Sequence, residues 1–198
     1  MNHQHLLQSV AQSLATSLAT YQALPAQAAE LATIGRLLID TLQGGGKLLL
    51  FGNGGSAADA QHVACEFVVR FRRERRGLPA IALTTDSSIL TAIGMDYAFE
   101  QLFARQIEAL GRPGDLAIGI STSGNSPDVL AGIRAAQTAG ITTLGFSGRS
   151  GGELRRLADH CYCAPADTTA NIQEAHLAAW HALCELVDMV YYASVPAE

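Results

Sequence analysis

His62 and Glu66 stand four positions apart, so on a helix they lie about 40° apart and share a face. A carboxylate beside an imidazole can take a proton from one atom and serve another. A solvated surface pair has the same spacing. What sets this pair apart is its position. It follows the glycine turn of "GNGGSAADAQH" (52–62), which itself follows the apolar run "KLLLF" (47–51). A turn between a strand's carboxyl end and a helix is where open α/β sheets bind ligands. Gly52, Gly54 and Gly55 permit close backbone approach, and Ser56 can cap the helix and offer a hydroxyl. Free N–H groups and the helix dipole there favour an anion.

A second turn has the same character. "STSGNSP" (121–127) follows the strand-like "DLAIGI" and ends on Pro127, a good first residue of a helix. Its hydroxyls and N–H groups make another anion cradle. The first turn also satisfies G-x-G-x-x-G/A through Gly52, Gly54 and Ala57, the pattern of a dinucleotide site. That pattern wants an acidic residue about 20 positions on. Asp86 comes much later, and a dinucleotide leaves the second turn unexplained. No P-loop is present, so no nucleotide cofactor is expected. Two cradles on neighbouring strands suit a phosphosugar, with one loop for phosphate and the other along the sugar. Further polar residues come in "TANIQEAHLAAWH" (169–181): Gln173, Glu174, His176 and His181. A histidine on such a helix is more often packed or solvated than functional.

The elements that must hold these residues alternate. Strands are expected at 47–51, 80–84, 115–120, 141–146 and 160–163. Helices are expected at 56–72, 87–94, 98–110, 127–139, 151–157 and 170–192. Apolar strands separated by helices predict an α/β fold, a parallel sheet covered on both faces. Ahead of it lie an amphipathic helix over 5–22 and another from Pro25 to about Gln43, stopped by "GGG". The 198 residues, 48% hydrophobic, suit one domain over 1–198, with the pair at 1–43 packing on it or on a neighbouring subunit. The charge of −5 argues against nucleic acid as the main ligand. The basic run "RFRRERRG" (70–77) reads as a solvated helix end. Cysteines at 65, 161, 163 and 184 include no C-x-x-C pair, which fits a reduced, cytoplasmic protein. Neither a signal peptide nor a membrane span is expected.

Together, "GNGGSAADAQH", "STSGNSP" and "TANIQEAHLAAWH" resemble the sugar isomerase (SIS) domain family, and within it the branch that isomerises sedoheptulose 7-phosphate. The resemblance implies a flavodoxin-like sheet of five parallel strands and a homotetramer with active sites at subunit interfaces. It also implies an aldose–ketose isomerisation giving D-glycero-D-manno-heptose 7-phosphate for cell-surface polysaccharide such as lipopolysaccharide. By resemblance, Glu66 is the catalytic base and His181 the acid, and some members bind zinc through residues matching His62, Glu66, Gln173 and His181. Ser56, Ser121, Thr122, Ser123 and Ser126, with Gly54 and Gly55, are the expected phosphate and sugar contacts. Asn53, Arg70, Asp86 and Asp96 are expected as secondary contacts, Arg70 with Glu66 or substrate as its partner.

Gln173 and His181 are separated by a rise of about 12 Å along one helix, so one of them is expected to serve a neighbour's site. Met95 and Asn171 depart from the family's usual Asn and Arg and are expected to alter substrate contacts. Two non-catalytic readings share the loops: a tetrameric partner of the replication initiator protein, and a sugar-phosphate sensor. The presence of both Glu66 and His181 favours the isomerase.

Overall fold

The computed structural model describes residues 2–192. Strands β1 (Leu48–Gly52), β2 (Ala80–Ala82), β3 (Leu116–Ile120), β4 (Thr142–Ser147) and β5 (His160–Cys163) form one sheet in the order β2-β1-β3-β4-β5. Every pairing is parallel. This is the flavodoxin-type order, and its switch point lies between β1 and β3. The two loops singled out by sequence follow those two strands. Register places Gly52 opposite Ile120, so the loops leave the sheet side by side. A Cβ on Gly52 would come within 2.7 Å of the Ile120 carbonyl oxygen, so only glycine fits.

Strand residues alternate between two cores. Leu48, Leu50, Ile118, Phe146 and Tyr162 face a layer made by α2 (Ala28–Gln43), α3 (Gly55–Val68) and α8 (Thr169–Tyr192). Leu49, Phe51 and Ala117 face the layer of α4 (Ser87–Asp96), α5 (Ala104–Leu110) and α6 (Pro127–Thr138), with Leu154 of α7 (Leu154–Leu157). Helix α2 adds Leu31, Ile34, Leu38 and Leu42 to the first core. Helix α1 (His3–Ala23) does not: Leu7, Val10, Leu14 and Leu18 are 57–66% exposed and lie along it at near-helical spacing. Its far half is tied to α8, where Ser17 Oγ donates to Glu174 (3.1 Å) and accepts from Asn171 (3.2 Å) and Thr20 is buried.

Several expected elements change: β2 ends at Ala82 rather than 84, and α7 starts at Leu154 rather than 151. The helix expected over 98–110 is split into a 3₁₀ turn at Phe99–Gln101 and α5. The second N-terminal helix opens as a 3₁₀ turn at Leu24–Gln27, with Pro25 in the opening turn where its missing N–H costs nothing. Helix α3 stops at Val68 rather than 72, because the Arg75 guanidinium takes the carbonyls of Glu66 and Phe67 in place of another turn. The basic run is therefore no solvated helix end throughout: Arg75 is buried, and Phe71 is half-buried. Cys65, Cys161, Cys163 and Cys184 are free thiols. No helix among the described residues is long and apolar enough to cross a membrane.

Candidate active site

Helices α3 and α8 lie alongside each other and run the same way. Gly55 meets Gln173 at their starts, His62 meets His181 in the middle, and Asp188 receives the backbone just beyond the end of α3. This pairing brings the expected acid and base to the same imidazole, that of His62. His62 Nε2 lies 3.0 Å from His181 Nε2 and 3.6 Å from Glu66 Oε1. The His181 ring stacks on Phe71, centroids 5.3 Å apart at 25°. Burial lowers the His181 pKa, His62 and Arg72 add to the lowering, and Glu66 opposes them. At neutral pH the imidazole is therefore neutral and can donate one hydrogen bond and accept another.

Gln173 and His181 both face α3 of their own chain. They meet it about two turns apart, Gln173 at Gly55 and His181 at His62, because α8 tracks α3 over this whole length. Gln173 lies on the first glycine turn, its amide so close to Gly55 that a Cβ there would sit 2.8 Å from the amide carbon.

The first loop turns at Gly54, with φ 55° and ψ −121°, a backbone that side-chain-bearing residues rarely adopt. Ser56 is buried in the opening turn of α3. Asn53 donates to Asp128 Oδ1 (2.9 Å) across the switch point, coupling the first loop to the start of α6. In the second loop, Ser121 Oγ lies 2.9 Å from Ser126 Oγ and 3.5 Å from Ser123 Oγ. Thr122 and Ser123 line a cavity of about 450 Å³ with Gly148, Arg149, Asp167 and Ile172. Asn53 and Gly54 line another of about 390 Å³ with Thr84, Thr91 and Phe103.

Other expected contacts have structural duties. Arg70 pairs with Glu74 at 3.6 Å, four residues on and past the end of α3, and not with Glu66. Asp86 is the N-cap of α4, accepting from the backbone N–H of Ser88 (2.9 Å) and Ile89 (3.0 Å). Asp96 is exposed at the end of α4, beside the exposed Met95. Asn171 is buried and bonded to Thr168, Ser17 and Glu174, so its side chain anchors α1. His176 is packed: it donates from Nε2 to the Ser147 carbonyl (2.9 Å), and burial pushes it down to about 4.

Two carboxylates escaped the sequence reading. Burial pushes Asp59 up to about 6, with His62 pulling it down, and its Oδ2 is buried without a hydrogen bond. Asp128 is buried, and its second oxygen likewise has no partner. The signals were present: Asp59 lies one turn before His62, and Asp128 follows Pro127.

Two cradles at a switch point, with an imidazole–carboxylate cluster one to three turns along the helix that leaves the first, can hold a phosphorylated sugar and move its protons. Comparison with known proteins agrees. The sequence model of the SIS domain matches residues 12–148. The chain is 59% identical over 166 residues to the phosphoheptose isomerase of a Roseiflexus species, covering 84% of each chain. It is 54% identical to that of Aquifex aeolicus, over 81% of this chain and 84% of the relative. The solved phosphoheptose isomerase of Neisseria gonorrhoeae superposes with a TM-score of 0.88 at 40% identity, covering 93% of this chain and 99% of that one. The chain belongs to the SIS-domain family.

Proposed function

We infer that this chain is an aldose–ketose isomerase that converts sedoheptulose 7-phosphate into D-glycero-D-manno-heptose 7-phosphate. The observation that carries the reading is the meeting of His181, His62 and Glu66 beside the glycine turn, in a chain whose relatives at 54–59% identity are phosphoheptose isomerases.

In this reading the second loop takes the phosphate. Ser121 and Ser126 face each other, and α6 starts directly after them, so hydroxyls and helix-start N–H groups point at one anion. Ser56, Asn53, Gln173, Thr122 and Ser123 border the sugar. Glu66 removes the proton from C1 of the ketose. The C–H electron pair becomes the C1–C2 double bond of an enediolate, and the carbonyl π pair moves onto O2. His181 serves the two oxygens, protonating O2 and accepting the O1 proton. Return of a proton to C2 gives the aldose. The low pKa of His181 keeps it in the neutral form that can do both.

Zinc fits the donor types: His62, Glu66 and His181, with Gln173 as a fourth, weaker oxygen. Two zinc ligands of a tetrahedral shell lie about 3.3 Å apart, and the separations of 3.0 and 3.6 Å around His62 bracket that. Among the described residues no three His, Cys, Asp or Glu side chains already form a metal centre, so loading would have to tighten the cluster around His62. When bound, the metal would polarise the substrate's neighbouring oxygens as a Lewis acid. The proposed assembly is a cytoplasmic homotetramer with active sites at subunit interfaces, supplying heptose for cell-surface polysaccharide such as lipopolysaccharide. The exposed leucine row of α1 and the half-open His62, its side chain 43% exposed, support that arrangement.

The test is direct. Purified protein with sedoheptulose 7-phosphate should form the aldose, followed by NMR. Glu66→Gln, which keeps the shape, should lose roughly 10²–10⁴-fold in rate. Near-wild-type turnover by Glu66→Gln would remove the base assignment.

A further inference from the structure

The segment that joins α3 to β2 holds a buried charge pair that the isomerisation scheme above leaves without a task. Arg75 Nε donates to Asp188 Oδ1 at 2.7 Å, with the two side chains 2% and 1% exposed. The rest of the Arg75 fork goes to backbone carbonyls, two of them at the end of α3. Nη2 donates to the carbonyl of Glu66 (2.8 Å), and Nη1 to the carbonyls of Phe67 (2.8 Å) and Arg76 (3.0 Å). The other oxygen of Asp188 accepts the backbone N–H groups of Arg72 (2.7 Å) and Arg73 (2.9 Å). Every nitrogen of the Arg75 guanidinium and both oxygens of Asp188 therefore have a partner.

The placement of these bonds matters. Asp188 lies seven residues beyond His181 on α8, two turns on and within about 20° of the same face. Arg75 grips the peptide of Glu66 itself. The pair thus connects the residue assigned as base to the helix that carries the acid. Between its two ends the same segment lays Phe71 flat on the His181 ring, with the Arg72 guanidinium 5.2 Å from the Phe71 ring and reaching Glu185, one turn past His181.

Stability alone is a weak reason for such a pair. Replacing a buried ion pair by apolar side chains of similar volume is often neutral or favourable, whereas removing one partner leaves a costly unpaired charge. Apolar side chains cannot supply directional bonds to the Glu66 carbonyl and to two N–H groups of the crossing segment. A slip of one residue between two helices shifts them about 1.5 Å and rotates the face by about 100°. A misplacement of about 1 Å at a reacting group can cost about 10²-fold in rate.

We propose that Arg75 and Asp188 are positioning residues for the isomerisation. Their ion pair fixes the register of α3 against α8, and through Phe71 the plane of the His181 ring, so that Glu66 and His181 meet at one point. The inference rests on the acid–base assignment of Glu66 and His181.

The test compares the double variant Arg75→Met/Asp188→Leu with Glu66→Gln and the unchanged enzyme, each checked for melting temperature and assembly state. The double variant leaves no unpaired buried charge. Its KM for sedoheptulose 7-phosphate should stay within about 3-fold, while kcat falls about 10- to 100-fold. A folded double variant with unchanged kcat, or with KM raised and kcat held, overturns the proposal. If the double variant does not fold, Phe71→Leu decides, because the strap stays pinned and only the ring over His181 is lost. A fall of about 5-fold or more in kcat at constant KM supports positioning, and unchanged kinetics overturn it. Should Glu66→Gln itself turn over normally, the acid–base reading falls first. Should Glu66→Gln be inactive and the double variant normal, the positioning role alone falls.

Discussion

A single hydroxyl or ring nitrogen here can be assigned a task by what it lacks. Ser121 and Ser126 bond to each other, at 2.9 Å, with no charged partner. Ground state and transition state carry the same phosphate, so these hydroxyls should contribute uniform binding. Ser126→Ala should raise KM several-fold with kcat nearly constant. A large fall in kcat at unchanged KM would move the second loop onto the reacting carbons.

His176 makes the opposite case. Its Nε2 is bonded and its Nδ1 is buried without a partner. Burial pushes it down to about 4, against an ordinary 6.5. The unfolded chain then binds the proton more tightly. The contribution is complete above about pH 6.5 and is lost as pH falls toward 4, roughly 3 kcal/mol in all. Urea unfolding at pH 7.5 and at pH 5 should show the loss, and His176→Leu should flatten that part of the slope.

At the scale of elements, α3 and α8 carry the proposed acid–base residues between them. Gly55 shows how tightly they are joined, since any Cβ there strikes the Gln173 amide. Gly55→Ala should displace Gln173 and lower kcat/KM about 10-fold. Gln173→Ala added to it should cost little more, because the contact is already gone. Additive losses would show that the two residues act separately.

Much of this was legible from residues alone. The glycines and serines mark the loops, and the i, i+4 spacing puts His62 and Glu66 on one face. The order of strands made the loops neighbours. What the residues did not reveal was direction. Nothing in "IQEAHLAAWH" says that α8 runs with α3 rather than against it, and only that choice brings His181 to His62. The charges of 70–76 misled for a similar reason. Composition shows a basic run, but burial of Arg75 depends on Asp188, more than a hundred residues away in sequence. Asp86 was expected as a secondary contact, and its carboxylate also caps α4.

For the whole molecule, the question is what covers α1. Its row of Leu7, Val10, Leu14 and Leu18 is open to solvent in one chain, while the same helix is fastened to α8 through Ser17. In the proposed tetramer a neighbour covers that row. Leu14→Glu with Leu18→Glu should shift sedimentation from tetramer to smaller species and lower activity with it. A tetramer that survives both charges would place the contact elsewhere on the molecule.

The core tells a related story. Trp180, wholly buried and stacked on Phe146 with centroids 4.4 Å apart, stands next to His181 in sequence. Trp180→Ala should cost about 3–5 kcal/mol, which thermal unfolding would register.

That adjacency sets a timetable for synthesis. Every strand, both cradles, His62 and Glu66 leave the ribosome before α8 does. Until α8 emerges, one face of the sheet lacks Trp180, Leu183 and Val187, and that apolar surface is open to chaperones or to the wrong neighbour. The helix that covers it also delivers His181. One docking event in a nascent chain therefore both closes the sticky face and brings His181 to His62, and in the proposed tetramer only assembly with neighbours is left to follow.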